Sequence, residues 1–449
     1  MFSVGQYIYD PERLIFYQNG YGSHTIQKIH SCIEPNDNYE SLHEKLNAYN
    51  ADEIQIKPGA LNRAGICLTN NCNFRCNYCS ASSVEGHKES LTIEDVMAFV
   101  TDVMKRYTIN KLLGNAEEPL SLYFTGGGEP AYDWDLFTNS VVQIRQKSSD
   151  NNIPLILGIT TNGLLDESQR VFIADNFDSV MVSYDGMPEI QDRNRKSVHD
   201  SRHSESVEES IRFFSKAQIH LSIRTTVWQS DFCRLKEMAD YIFGNFGIGM
   251  EWSILPVIPT GRAMNRVQKE HEKLRESDFL APYLDTVEYA KSKYGAVNIG
   301  TPVFQDIVNA FYCGAISIYC TCPWLMPDRT IITCIESCDV KTVIGKVEGN
   351  EVVYFEKCPD PLFKVYQKQF DECRKCIAYR FCKGGCPVRQ LMNGNVKTMM
   401  DDWECVMIQN YWMNIFQNVL DGKEYLGWRG SSVEIDGLED VEVLKLTKV

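Results

Sequence analysis

The segment Cys72-Asn73-Phe74-Arg75-Cys76-Asn77-Tyr78-Cys79 places three cysteines on one short stretch, directly after an apolar run. Three thiolates on a tight loop can bind three corners of a cubane iron–sulfur cluster, and such clusters normally take four cysteine ligands. The fourth iron then has no protein ligand, and an open metal position is typical of catalysis rather than of structure. The segment therefore predicts a cluster whose vacant corner binds a small molecule directly.

A zinc knuckle, or a set of buried thiols, is the alternative interpretation of the same cysteines. A structural zinc ion needs a fourth ligand nearby. The closest histidine is His87, eight residues after Cys79. That separation favours the iron–sulfur interpretation.

The composition excludes several classes of partner. The chain has 449 residues, more than one ordinary domain uses, and 44% of them are hydrophobic, which is enough for sizeable cores. Its formal charge of −15 should repel nucleic acid and anionic membranes. We therefore expect neither nucleic acid nor a membrane as a partner.

The chain contains 17 cysteines, and the expected compartment decides how to interpret them. The first residues lack the basic and apolar regions of a signal peptide, and no window is apolar enough to span a membrane. We therefore expect a cytoplasmic protein, in which closely spaced cysteines indicate metal binding. A disulfide framework in an exported protein is the alternative.

Short apolar runs alternate with amphipathic stretches from residue 62 onward. This alternation predicts a parallel sheet with right-handed helical crossovers. Six strands are too few for a closed eight-stranded barrel, so the predicted fold is α/β, a partial (β/α)6 TIM-like barrel with its active site at the carboxyl ends of the strands. The predicted strands are 64–68, 121–125, 155–160, 179–183, 220–227 and 251–257, and the predicted helices are 92–107, 134–148, 166–176, 205–217 and 231–245.

Five regions follow from this pattern. Residues 1–60 form an N-terminal extension, with a hairpin at 7–17 and a helix at 39–50. They are either a cap on the barrel or a reduced leader-binding element. Residues 61–265 form the core, 266–304 a helical linker, 305–410 a small cysteine-rich domain held by metal, and 411–449 a C-terminal tail.

The cysteine spacing, with an aromatic residue (Tyr78) before the last cysteine, resembles the signature of radical S-adenosylmethionine (SAM) enzymes. A second motif in the expected order is Gly127-Gly128-Glu129, which follows the second predicted strand. It resembles the Gly-Gly-Glu segment of that family, where backbone and Glu contact the amino group of SAM. The resemblance covers residues 62–262 and implies a SAM-binding [4Fe–4S] cluster.

Two further segments resemble the peptide-maturing branch of the family. Thr160-Thr161-Asn162-Gly163 ends the third strand, and Ser183-Tyr184-Asp185-Gly186 ends the fourth. The resemblance implies that Ser183 faces the SAM ribose, and we expect Arg195 to hold the methionine carboxylate. The alternative for Asp192 and Arg195 is an exposed loop ion pair of little energetic value.

A second set of cysteines resembles the SPASM extension, which carries two auxiliary [4Fe–4S] clusters. Alone, these cysteines would suit a zinc ribbon. The resemblance implies three clusters in total. One auxiliary cluster would use Cys313, Cys320, Cys334 and Cys386, and the other Cys373, Cys376, Cys382 and Cys405.

The SPASM resemblance has departures. Arg329 stands where that family usually has Gly, so we expect the turn to be built differently. Cys322 competes with Cys320 as a ligand. If neither binds, the first auxiliary cluster keeps an iron open to substrate.

The resemblance implies that a one-electron reductant such as flavodoxin or ferredoxin drives cleavage of SAM to a 5′-deoxyadenosyl radical, which abstracts hydrogen from a substrate. Related enzymes cross-link ribosomally made peptides or oxidise sulfatases to formylglycine. In the sulfatase group an Asp base follows the cysteine matched by Cys334, but here Ile335 stands there. We therefore predict a thioether or C–C cross-link in a precursor peptide. The alternatives are sulfatase maturation and, in a different class, a non-catalytic iron–sulfur carrier or zinc scaffold.

Overall fold

The computed structural model describes most of the predicted core and parts of its flanks. Side chains are described for residues 62–81, 89–112, 119–198, 203–257, 261–263, 279–302, 322–333, 335 and 343–355, and the backbone also for 277–278. Among residues 2–25 only the backbone of four strands is described. The predicted helix at 39–50, the tail after 410 and every proposed auxiliary-cluster ligand lie outside these residues.

A small antiparallel sheet lies at the N-terminus. Its strands pair in sequence order, as β1 (Phe2–Val4), β2 (Tyr7–Asp10), β3 (Ile15–Gln18) and β4 (Gly22–Thr25). Tyr9 pairs with Phe16 across β2 and β3, which confirms the predicted hairpin. The flanking strands β1 and β4 were not predicted.

The main sheet contains the six predicted parallel strands in a linear order. Each predicted strand agrees with an observed one to within two residues at either end, which confirms the partial α/β barrel. The strands are β5 (Arg63–Ile66), β7 (Leu120–Phe124), β8 (Leu155–Thr161), β9 (Ser179–Ser183), β11 (His220–Val227) and β12 (Glu251–Pro256), each parallel to the next.

Helices connect these strands and cover the sheet. Six are the five predicted crossovers and the predicted connector, and α4 is a short helix that was not predicted. They are α1 (Ile93–Leu112), α2 (Trp134–Asp150), α3 (Glu167–Asn176), α4 (Pro188–Asn194), α5 (Ser204–Phe214), α6 (Leu235–Phe246) and α7 (Ser277–Tyr294), with a 3-10 turn at Gln229–Arg234 before α6.

Local chemistry explains why the helices begin and pack where they do. The carboxylate of Asp166 accepts a hydrogen bond from the Gln169 amide (2.9 Å), and the Gln169 side chain accepts one from the Asp166 amide (3.0 Å). This capping box fixes the start of α3. Helix α5 buries Val207, Ile211 and Phe214, whose spacing places them on one face. Each such burial contributes about 1.5–3 kcal/mol.

Short strands extend the main sheet at both edges. Strand β13 (Asn298–Gly300), inside the predicted linker, pairs in parallel with β12. Strand β14 (Trp324–Leu325), inside the predicted cysteine-rich domain, pairs in parallel with β5. The antiparallel strands β15 (Thr330–Ile332), β16 (Val343–Glu348) and β17 (Glu351–Tyr354) follow. The predicted domain boundaries stay predictions.

Side-chain contacts also join this C-terminal segment to the barrel. A Cβ at Gly65 would lie 1.9 Å from the Trp324 ring, so the indole lies directly on the glycine of β5. The Arg329 Nε lies 3.1 Å from Asp95 Oδ2 on α1. The backbone of Arg329 is left-handed, with φ of 68°. Arg329 therefore adopts a conformation that glycine favours and that is uncommon for arginine. The expectation of a differently built turn stays a prediction.

None of the helices in the described part of the chain is both long and apolar enough to cross a membrane.

Candidate active site

The cysteine loop after β5 is anchored by a two-stranded ladder. Strand β6 (Phe74–Cys76) pairs antiparallel with β10 (Arg195–Ser197), and Cys76 lies opposite Arg195. The Asn77 amide donates to the Asn194 carbonyl (2.8 Å), which continues the pairing. Residues more than a hundred positions apart therefore hold the loop at the carboxyl ends of the parallel strands.

The three predicted cluster ligands lie on this loop outside any disulfide, each half-buried. Burial raises the pKa of the Cys72 thiol to about 11 and that of Cys76 to about 12. The charge of Cys79 raises both pKa values further, so the three sulfurs interact electrostatically. Such thiols become thiolates only beside a compensating cation, which cluster iron provides.

Three thiols on one short loop fit three corners of an iron–sulfur cluster, in which each thiolate binds a different iron. The assignment of Cys72, Cys76 and Cys79 as ligands stays a proposal. It is supported by their shared loop and by their mutual effect on the thiol pKa values.

The glycine run packs against the residues that precede Cys72. The Gly128 amide donates to the Thr69 carbonyl (2.7 Å), and the Glu129 amide donates to the Asn71 carbonyl (2.8 Å). A Cβ at Gly128 would lie 1.8 Å from the Asn71 carbonyl oxygen, and Gly127 is left-handed, with φ of 60°. The glycines are therefore needed to seat the cluster loop, a role that the sequence analysis did not assign.

Glu129 is buried between the ends of β7 and β8. Its carboxylate accepts hydrogen bonds from the Thr161 hydroxyl (2.7 Å) and the Asn162 amide (2.8 Å). Burial raises its pKa to about 7, although these hydrogen bonds act in the opposite direction. A carboxylate held this way suits a cationic ligand group such as an amine, because a positive charge would offset the cost of burial.

Asp185 is the centre of a buried polar network that the sequence analysis missed. Its Oδ1 accepts from Arg195 Nε (3.0 Å) and the Thr226 amide (3.3 Å). Its Oδ2 accepts from the Tyr78 hydroxyl (2.5 Å) and Asn194 Nδ2 (3.2 Å). The side chain is fully buried. One carboxylate therefore ties the cluster loop to the ends of β9 and β11.

Arg195 and Asp192 do not form the exposed loop ion pair that was the alternative interpretation of these two residues. Arg195 is buried and ion-paired with Asp185, and its guanidinium lies 5.3 Å from the centre of the Tyr78 ring. Asp192 caps α5 instead, accepting from the Ser204 amide (3.0 Å). The two residues therefore form no loop ion pair. Contact between Arg195 and a SAM carboxylate stays a prediction, as does contact between Ser183, half-buried at the end of β9, and the ribose.

Asparagines support the cluster loop from both sides. Asn162 Nδ2 donates to Asn73 Oδ1 (2.6 Å). Asn77 Oδ1 accepts from the indole of the buried Trp228 (3.1 Å). The Arg262 amide donates to the Cys79 carbonyl (3.0 Å), which closes the loop at its other end. The segment containing Asn162 was indicated by its place at the end of a predicted strand, but its hydrogen-bond partners were not.

Ile335 is the described residue of the C-terminal region that reaches this site. A Cβ at Gly126 would lie 2.5 Å from Ile335 Cδ1, so the side chain packs on the start of the glycine run. Cys322 is half-buried, two residues before β14. The described segment therefore brings an apolar side chain to the carboxyl ends of the strands.

The fold and site define an α/β enzyme core with a thiol loop at the carboxyl ends of its parallel strands. Residues 66–242 match the Radical SAM superfamily. The chain carries a radical SAM domain and is an enzyme of that superfamily, whose members bind SAM at a [4Fe–4S] cluster. The non-catalytic carrier and the zinc scaffold were wrong alternatives.

Known proteins resemble more of the chain than this domain. The cysteine-type anaerobic sulfatase-maturating enzyme of Clostridium perfringens is 23% identical over 340 residues, which cover 71% of this chain and 86% of that protein. The solved structure of native anSMEcpe with bound AdoMet covers 80% of this chain and 98% of its own, with a TM-score of 0.63 and 19% identity.

A second solved structure has a comparable fold. Streptococcus suis SuiB bound to the precursor peptide SuiA covers 84% of this chain and 83% of its own, with a TM-score of 0.56 and 15% identity. At these identities both structures are evidence for the fold alone.

Proposed function

We propose that this enzyme matures a ribosomally made precursor peptide by forming a thioether or C–C cross-link. A peptide substrate is supported by SuiB, whose fold is similar and which was solved with its precursor peptide. It is also supported by anSMEcpe, which was solved with AdoMet and a peptide. The choice between cross-linking and sulfatase maturation rests on position 335.

The identity of residue 335 is the observation that favours cross-linking over sulfatase maturation. In sulfatase maturases the residue after the matching cysteine is an Asp that acts as a base. Here an isoleucine packs on Gly126 beside the glycine run. An alkyl side chain cannot accept a proton, so formylglycine formation would lack its base at this position. A cross-link that needs no base there suits the site better.

The chain's own residues would hold and orient the cofactors. When bound, the cluster and SAM supply a 5′-deoxyadenosyl radical that abstracts a hydrogen atom from the peptide. Cys72, Cys76 and Cys79 would bind three irons, and Glu129 would hold the amino group of SAM. The Asp185 network keeps Tyr78 and Arg195 in place against the loop, as the buried ion pair and the Tyr78 hydrogen bond indicate. Such fixed geometry keeps a reactive intermediate from side reactions.

We also propose a SPASM domain with two auxiliary [4Fe–4S] clusters. It is supported by β14, which docks the start of the cysteine-rich region on β5, and by Trp324, which lies on Gly65. The half-buried Cys322 is the ligand candidate that the structure describes. Iron analysis should therefore give roughly a dozen irons per chain, the content of three cubane clusters.

The test compares two peptides under anaerobic conditions with dithionite and SAM. One is a sulfatase peptide with its target cysteine, and the other is a cysteine-containing peptide encoded beside the gene. We expect the second to lose two hydrogen atoms and to resist thiol alkylation, as a thioether does. Formylglycine in the sulfatase peptide would overturn the proposal.

Sulfatase maturation is the second candidate, because the 23% identical relative has that activity in its name. The variant Ile335→Asp supplies the missing carboxylate, and Ile335→Asn is a control of the same size without the charge. If the site is otherwise that of a sulfatase maturase, formylglycine should form with the first variant and not with the second. Formylglycine formation by the wild-type enzyme would favour this candidate directly.

A further inference from the structure

Two basic residues flank the cluster loop without a carboxylate partner among the described residues. Arg75 and Lys196 lie opposite each other on β6 and β10. Arg75 is half-buried, and its Nη1 donates to the carbonyls of Cys72 and Phe74, both at 2.9 Å. Lys196 is exposed. A fixed positive charge therefore lies on the backbone of a proposed cluster ligand, with a mobile one beside it.

Arg75 and Lys196 place two positive charges beside the cluster loop of a chain whose net charge is −15. Eight of the described arginines pair with a carboxylate, whereas Arg75 pairs with none in the described part of the chain. The paired arginines are Arg106, Arg145, Arg170, Arg193, Arg195, Arg212, Arg234 and Arg329.

Like charges directly opposite each other on an antiparallel ladder are destabilising. The Arg75–Lys196 pair therefore costs stability in the isolated enzyme, and an anionic partner would convert that cost into attraction. An open cavity of about 330 Å³ begins at Asn71, next to the cluster loop, and the two aspartates in its lining would repel such a partner. That cavity is lined by Asn71, Tyr132, Asp133, Trp134 and Asp135.

We propose that Arg75 and Lys196 form the docking surface for an anionic one-electron carrier protein that reduces the SAM-binding cluster. One electron passes from the reduced carrier to the oxidised cluster, and no bond or proton is transferred. The carrier's acidic surface covers the two cations, and the aspartates of the cavity repel it from that part of the surface. The proposal rests on the radical SAM class of the enzyme and not on the identity of its peptide.

Lys196→Glu tests the proposal, because the Lys196 side chain is exposed whereas the Arg75 side chain holds the Cys72 carbonyl. The probe is flavodoxin hydroquinone, an acidic one-electron donor, mixed anaerobically with the reconstituted enzyme in a stopped-flow instrument. At about 20 mM ionic strength the bimolecular rate of cluster reduction should fall about tenfold, and the difference should shrink at about 0.5 M. Lys196→Gln should give an intermediate loss.

Lys216→Glu is the matched control. Lys216 is also exposed, and its substitution by Glu changes the net charge by the same amount. It lies after α5 and before β11, at the amino ends of the strands. The rate of this variant with flavodoxin should stay within about twofold of the wild type, because Lys216 lies at the opposite end of the parallel strands from the cluster loop. Binding of oxidised flavodoxin, measured by calorimetry, should weaken for Lys196→Glu alone.

The sign of the effect gives a second test. Reduced methyl viologen is a cation, so Lys196→Glu should leave its rate unchanged or raise it. Equal slowing by Lys196→Glu and Lys216→Glu would overturn the proposal, as would no slowing by either. Slowing of the Lys196→Glu variant with methyl viologen would also overturn it, because the cluster itself would then be impaired.

Discussion

Asp185→Asn is the change that most severely tests the network around the cluster loop. Two donors contact each carboxylate oxygen of Asp185. An asparagine has one carbonyl oxygen, so its amide group must face two donors whichever way it is turned. Arg195 also loses its counter-ion, because asparagine carries no charge. The pair is buried, since the Arg195 side chain is 8% exposed and that of Asp185 is 0% exposed.

The expected cost follows from the geometry of this pair. Removing one partner of a buried ion pair typically costs about 3–5 kcal/mol. Asp192→Asn is the matched control, since it makes the same substitution seven residues later. Its carboxylate caps α5 and is 20% exposed, so that change should cost about 1 kcal/mol.

Both costs are measured by anaerobic urea unfolding of the reconstituted protein, monitored by tryptophan fluorescence. Uncoupled formation of 5′-deoxyadenosine should also fall about 10²-fold in Asp185→Asn, because Tyr78 and the loop lose their fixed position. The reasoning is refuted if Asp185→Asn unfolds within about 1 kcal/mol of the control and cleaves SAM at the wild-type rate.

Three further changes test separate parts of the structure. Gly128→Ala brings a Cβ to 1.8 Å from the Asn71 carbonyl and should lower the iron bound at the SAM cluster, whereas Gly244→Ala, with nothing within 4 Å, should leave iron content unchanged. Burial raises the folded-state pKa of Glu129 from 4.5 to about 7, so the unfolded chain loses this proton at lower pH than the folded protein does. The free energy of unfolding should therefore fall by about 3 kcal/mol between pH 4.5 and 7, relative to Glu129→Gln. Equal pH profiles of the two proteins in denaturant unfolding would contradict this. Arg329→Gly should be about 1 kcal/mol more stable than Arg329→Ala. Both variants lose the ion pair with Asp95, but only glycine adopts the left-handed backbone conformation without strain. A more stable alanine variant would mean that the turn is unstrained.

Much of the barrel was predictable because its strands and helices are long enough to show a period. The strands 179–183 and 220–227 agree with the structure at both ends. Strands β13 and β14 were missed, since two or three residues carry no period. Strands β6 and β10 were missed for a different reason, because their pairing joins residues about 120 positions apart.

The site was predictable in its residue types and less so in its connections. The cysteine spacing and the glycine run indicated the cluster loop and its neighbour. Nothing in the sequence indicated that Asp185 would bind Tyr78 and Arg195 together, because that depends on how three strand ends meet. The left-handed Arg329 was missed because residue type predicts such a conformation only for glycine, asparagine and aspartate.

The central claim is that Cys72, Cys76 and Cys79 hold the cluster that cleaves SAM. The direct measurement is 5′-deoxyadenosine formation by the anaerobically reconstituted enzyme with dithionite and SAM, compared with a variant in which all three cysteines are alanine. We predict steady formation by the wild type and none by the variant, which should still bind about two-thirds of the iron in its auxiliary clusters. Equal formation by both proteins, or none by the wild type with full iron, would contradict the account.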